Sequence, residues 1–148
     1  MRAIPASRRH PQSGREALER ALAAAGIHYV WEGSALGGWR KPVQDSLHIA
    51  LKDDAIRAYA DHMMSAAFRD GLDRLLGLAS REHVAIMCAE RLPSQCHRNL
   101  ISDSAVARGI EVRHLVDRQP AVAHALSPAA RVNGAVLVYD GNSQLPLV

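Results

Sequence analysis

The stretch from His83 to Val116 constrains the fold most. "HVAIMCA" (83–89) is an apolar run without polar alternation, the pattern of a strand buried on both faces. A polar loop follows, then a helical pattern over 94–108, Gly109 as a stop, and the apolar-rich run "IEVRHLV" at 110–116. Strand, helix and strand at this spacing predict a right-handed βαβ unit, and so a parallel sheet. The expected class is α/β, a mostly parallel sheet flanked by helices.

The rest of the chain fits around that unit. Leu18, Ala21, Leu22 and Ala25 fall on one helical face, closed by Gly26, and "IHYVW" (27–31) reads as a strand. From Glu32 to about Lys52 a connection containing "ALGGWRKP" lacks regular patterning. A loop of that length inside a compact domain is expected to be functional or mobile, here a lid. Two helices follow, one with Ile56, Tyr59, Ala60 and Met63 on its apolar face, the other with Phe68, Leu72, Leu75, Leu76 and Ala79. Gly71 and Gly77 each weaken the second by about 1 kcal/mol relative to alanine, so packing must hold it. In the tail, Asn133-Gly134 between short apolar runs predicts a hairpin. With 148 residues the expectation is a single domain, with an α/β core at 1–118 and a C-terminal extension carrying the hairpin at 119–148.

Composition narrows the setting. No apolar run approaches the ~20 residues that span a bilayer, and "MRAIPASRRHPQSG" lacks the apolar stretch of a secretion signal. A cytoplasmic protein without a membrane partner is expected, with its two cysteines reduced rather than bridged. The basic residues are arginine apart from Lys41 and Lys52, and residues 1–20 hold five arginines against two glutamates, an excess as large as the whole chain's net charge of +3. Arginine is the residue of planar phosphate and carboxylate recognition.

Both cysteines lie in "VAIMCAERLPSQCHRNLI" (84–101), where the expected strand hands over to the expected helix. Ser94 after Pro93 is a good N-cap, leaving the N–H groups of Gln95, Cys96 and His97 free to meet an anion. Cys96 and His97 lie one turn ahead of Leu100, Ile101 and Ser104 on the inward face, toward the sheet edge where ligands of open α/β folds bind. Glu90 ends the strand and Arg98 flanks the helix start. Cys88, inside the strand, reads as a small core residue, and the other histidines as solvated or packed. Glu90, Cys96 and His97 are the candidates for chemistry, because a thiol and an imidazole beside charged groups at a helix start have the means to shift protons.

Spacing excludes several alternatives. Neither cysteine is followed by the arginine that phosphatase and rhodanese loops require, since the sixth residue on is Ser94 or Ser102. The cysteines lack zinc-finger spacing, and no P-loop or dinucleotide glycine pattern occurs. No metal or cofactor is expected.

The segments "AIPASRRHPQ", "LGGWRKP", "MCAERLPSQCHRNLI", "GIEVRHL" and "LSPAARVNGAVLVY" together resemble the bacterial family known as domain of unknown function 488. The resemblance runs over nearly the whole chain and implies a single α/β domain. Its distinctive positions are Arg2, Ser7, Arg8, the Gly37-Gly38 pair and Tyr59, then Cys88, Glu90, Cys96, His97 and Arg98. Arg2, Ser7, Arg8, Gly37, Gly38, Tyr59 and Arg98 are accordingly the expected ligand-binding residues. Members begin with a further strand, helix and strand, whereas here Met1 stands where the second strand would be ending. A truncated domain with an uncovered sheet edge, prone to self-association, is expected on that basis.

Three functional classes stay open. The first is a binder of a phosphate-bearing small molecule or nucleotide, acting as a hydrolase or transferase. The second is a nucleic-acid-binding protein using the basic front end and Trp39-Arg40-Lys41, with Trp31 or Trp39 for stacking. The third is a noncatalytic interaction module.

Overall fold

The computed structural model describes residues 11–134 and 136–141. Helix α1 (Arg15–Ala24) ends in Gly26 at φ 71°, a left-handed turn that glycine adopts without strain. A short helix α2 (Gly33–Leu36), α3 (Asp54–Met63) and α4 (Ala66–Ala79) follow, then α5 (Arg98–Ala107) after a 3-10 turn at Pro93–Gln95. Four short strands close the order: β1 (Arg113–His114), β2 (Val122–Ala123), β3 (Ala130–Asn133) and β4 (Val136–Tyr139). Helices α3 and α4 start where Asp53 and Ser65 accept the N–H of Ile56 and Phe68, so each cap satisfies one orphan donor.

Both sheets among the described residues are two-stranded and antiparallel, β1 with β2 and β3 with β4. The expected parallel sheet is not found there. Residues 27–32 and 83–88 carry neither helix nor strand, and Val84 and Met87 are 40% and 50% exposed. An apolar, β-branched run promotes extended backbone, but a strand also needs a hydrogen-bonded neighbour, and composition does not reveal whether one is present. Of "IEVRHLV" only Arg113 and His114 join a ladder, and their partner is the next segment of chain rather than a parallel strand. The tail behaves as its Asn-Gly predicts: Asn133 pairs with Val136 and Gly134 turns at φ 59°.

The core lies among α2, α3, α4, α5 and the β3–β4 hairpin, with Leu36, Tyr59, Leu72, Ile101 and Tyr139 fully enclosed. The first part of the expected lid is thus core, not cover. Helix α2 packs so closely on α4 that a Cβ at Gly71 would stand 2.6 Å from the Ala35 Cβ. Gly71 therefore serves close approach, and an Arg74–Glu32 pair with two 2.8 Å hydrogen bonds fastens the same two elements. The hairpin is tied in from its far side. His48 is wholly buried, its Nδ1 accepts the Tyr139 N–H at 3.2 Å, and Ala50 N–H donates to the Tyr139 carbonyl at 2.9 Å.

Burial pushes the pKa of His48 down despite opposing attraction from Asp61 and Asp140, and it pushes His62 down as well. The unfolded chain therefore takes up protons, as pH falls through about 6.5, that the folded chain declines. Stability from these groups is present above that pH and is lost as pH drops from there toward their folded values. The expected slope approaches about 1 kcal/mol per pH unit per histidine. Denaturant melts at pH 7.5, 6.5 and 5.5 check this; a flat profile removes the argument.

Candidate functional site

The start of α5 gathers two adjoining groups of side chains. In the first, Cys88, Cys96 and His97 place their sulfur and nitrogen donors within 4.8 Å of one another. His97 Nδ1 lies 3.5 Å from Cys96 Sγ and 3.9 Å from Cys88 Sγ. Two N–H groups of Arg98 donate to Cys96 Sγ, the backbone N at 3.4 Å and Nε at 3.3 Å. Arg98 Nη2 also donates to the carbonyl of Glu90, so one guanidinium holds the loop between the two cysteines against the helix start. Hydrogen bonding with Cys96, aided by His97 and the Glu90 backbone, holds Cys88 down to about 3, and the same sharing with Cys88, together with burial, pushes Cys96 up.

The local sequence explains the placement. Pro93 opens a 3-10 turn, and Cys96, at φ −142° and ψ 146°, turns the chain before α5 begins. His97 occupies the N-cap position, without a side-chain cap bond. Ser94, expected to cap, lies one turn earlier inside the 3-10 segment, and the Cys96 sulfur instead receives the N–H of Arg98. The His97 ring is 6% exposed and lies 4.9 Å from the Tyr59 ring. Gly38 approaches the ring so closely that a Cβ there would stand 2.3 Å from Nδ1. Tyr59 is fixed in turn by donating to the Leu36 carbonyl at 3.0 Å, and Gly37 is the C-cap of α2.

The second group is a chain of hydrogen bonds through the interior. Asp103 is fully buried on α5 and accepts from Ser127 N at 2.8 Å, from Tyr139 OH at 2.9 Å and from His124 Nε2 at 2.9 Å. His124 Nδ1 then faces His114 Nε2 at 2.8 Å. His124 Nδ1 and His114 Nε2 share a single hydrogen, and the tautomers of the two rings set which of them donates it. His114 and His124 line an open cleft of about 330 Å³ with Ser94, Asn99 and Gln119. Burial, His124 and the charge of Arg98 push the pKa of His114 down.

Of the residues singled out in the sequence, the fold unites Gly38, Tyr59, Cys96, His97 and Arg98. The Glu90 side chain is exposed, and only its backbone joins the cluster. Arg2, Ser7 and Arg8 lie outside the described residues. Cys88 joins the site because the segment that carries it is not a strand enclosed on both faces. Asp103, His114 and His124 escaped the sequence reading. A signal existed for Asp103, since a carboxylate between Ile101 and Ser104 on the inward face of a helix requires a partner.

No curated protein and no solved structure matches the chain. A family model matches residues 1–105, which include α1 to α4 and most of α5, while the tail motif "LSPAARVNGAVLVY" lies outside the match. No helix among the described residues is long and apolar enough to cross a membrane. The matched segments hold Cys88, Cys96, His97 and Arg98, and the chain belongs to the family described as domain of unknown function DUF488.

Proposed function

We propose that this domain binds a phosphate-bearing small molecule or nucleotide in the cleft at the start of α5 and performs hydrolysis or group transfer on it. The observation that carries this reading is the Asp103–His124–His114 chain, which ends in an imidazole lining that cleft. A base positioned by a second histidine and a buried carboxylate is suited to take a proton from water or a hydroxyl nucleophile. The Arg98 charge bearing on His114 and the positive end of the α5 dipole favour an anionic substrate beside it. Arg98 spends Nε and Nη2 on the protein, and in this reading its remaining edge faces the ligand. Arg2, Ser7 and Arg8 are assigned further anion contacts, and acid–base work passes to His114 rather than Glu90 or His97.

Nucleic acid has less support. Trp39 is 71% exposed, but Arg40 is turned inward to the carbonyls of Ser34 and Ala35. A noncatalytic or self-associating module would draw on exposed apolar residues such as Leu115 and Val122, the latter lining the cleft without forming part of its hydrogen-bond chain.

The test begins with thermal shifts against nucleotides and phosphorylated metabolites, followed by turnover assays on those that stabilise the fold. His114→Gln should keep binding and lower turnover by about 10²–10⁴-fold. Arg98→Ala should weaken binding. Turnover unchanged in His114→Gln, or no stabilising phosphate compound at all, overturns the proposal.

A further inference from the structure

The two nitrogen–sulfur distances within the thiol cluster are close to those of a metal's ligand shell. With metal–sulfur bonds of about 2.3 Å and a metal–nitrogen bond of about 2.0–2.1 Å, tetrahedral geometry sets nitrogen and sulfur about 3.5 Å apart and the two sulfurs about 3.8 Å apart. His97 Nδ1 already stands 3.5 Å and 3.9 Å from the two sulfurs, and all three donors fall within 4.8 Å. Both cysteines are free thiols.

The geometry points to a zinc site formed by Cys88 Sγ, Cys96 Sγ and His97 Nδ1, with the fourth position left for water or an exogenous donor. Two thiolates and an imidazole select zinc over hard cations such as magnesium or calcium, which require oxygen ligands. The surroundings are those of a metal centre. Arg98 gives two N–H donors to Cys96 Sγ, the outer hydrogen bonding that orients a thiolate ligand. Gly38 and Tyr59 both pack against the imidazole. His97 Nε2 is buried and has no hydrogen-bond partner among the described residues. Its orientation is therefore set by packing and by what Nδ1 binds. Cys96 and His97 are closed off, whereas Cys88 is half-buried and gives the ion an approach from solvent.

Zinc-finger spacing does not reveal this arrangement, because a single loop between Cys88 and Cys96 brings the donors together and adjacent residues supply two of the three. Three protein ligands with one position open is the pattern of catalytic zinc rather than of closed structural sites. The inference stands apart from the phosphate reading: zinc binding is measured without any substrate, and His114 is not a ligand.

The experiment titrates Zn(II), then Co(II), into the reduced, metal-free full chain, with a chromophoric chelator as competitor. One equivalent of zinc should bind, and cobalt should give thiolate-to-metal charge transfer with the intense visible bands of tetrahedral coordination. Bound zinc should protect both thiols from alkylation. Cys88→Ser and His97→Gln should each weaken binding by about 100-fold or more, at least matching the loss that outer-sphere changes cause elsewhere. Since His97 is buried, the half-buried Cys88→Ser variant, shown folded by circular dichroism, decides the matter. A folded, reduced chain that binds no zinc, or zinc affinity unchanged in Cys88→Ser, overturns the assignment.

Discussion

Replacing Asp103 with alanine should lower the free energy of unfolding by roughly 3–6 kcal/mol, the largest single loss expected in the chain. Three donors converge on this fully buried carboxylate, from Ser127 N, His124 Nε2 and Tyr139 OH. Removing it leaves all three without their acceptor where water does not readily replace it, at about 1–3 kcal/mol each before relaxation. Small domains are stable by only about 5–15 kcal/mol, so the variant should be partly unfolded at room temperature. Asp103→Asn keeps one carbonyl oxygen and should cost less, while its amide N–H group sets a donor where the carboxylate only accepts. Denaturant unfolding of both variants, with Tyr139→Phe to complete a double-mutant cycle, measures the coupling. A loss below about 1 kcal/mol for Asp103→Ala would show that the network contributes little.

Gly38→Ala should damage the thiol cluster although the residue offers no donor of its own. A methyl carbon there would fall 2.3 Å from His97 Nδ1 and 2.8 Å from its Cγ, well inside van der Waals contact. The ring has little room to move, because His97 is 6% exposed and packs against Tyr59, which is held by the Leu36 carbonyl. Gly38 has no positive φ, so the effect is steric rather than a backbone penalty. The expected outcome is a stability loss of about 1–3 kcal/mol and zinc affinity reduced by about 10–100-fold. Melting and the cobalt spectrum read the two effects separately. An unchanged spectrum together with an unchanged melt would mean that neither the packing nor the ligand geometry is as described.

Local signals in the sequence were reliable where the cause is local. The helices that became α1, α3 and α4, the Gly26 and Gly109 stops and the Asn133-Gly134 hairpin follow from periodicity, caps and turn chemistry within a few residues. The parallel sheet did not follow, because pairing depends on a neighbour distant in sequence. The run 83–89 has the composition of a buried strand and the exposure of a surface segment. Much the same division holds at the site. Cys96, His97 and Arg98 are contiguous and were legible at a helix start, as was the glycine pair. Cys88 reads as a core residue because its neighbours are apolar, and His114, His124 and Asp103 meet only through tertiary packing. A lone histidine in a sequence carries no indication of the carboxylate it will find.

The Tyr139 anchor has a consequence for the order of folding. Its backbone N–H meets His48 across 91 positions, and its hydroxyl reaches Asp103 across 36. Contacts of such long range form against a loop-closure entropy that local helices do not face, so they should come late. Synthesis adds a delay of its own, since α5 is complete and Asp103 in place about 30 residues before Tyr139 is added, a few seconds at typical elongation rates. During that interval the nascent chain carries an acidic side chain in what will be its driest region with its last partner still unmade. The most conspicuous polar group of the interior is thus also among those whose environment the ribosome finishes last.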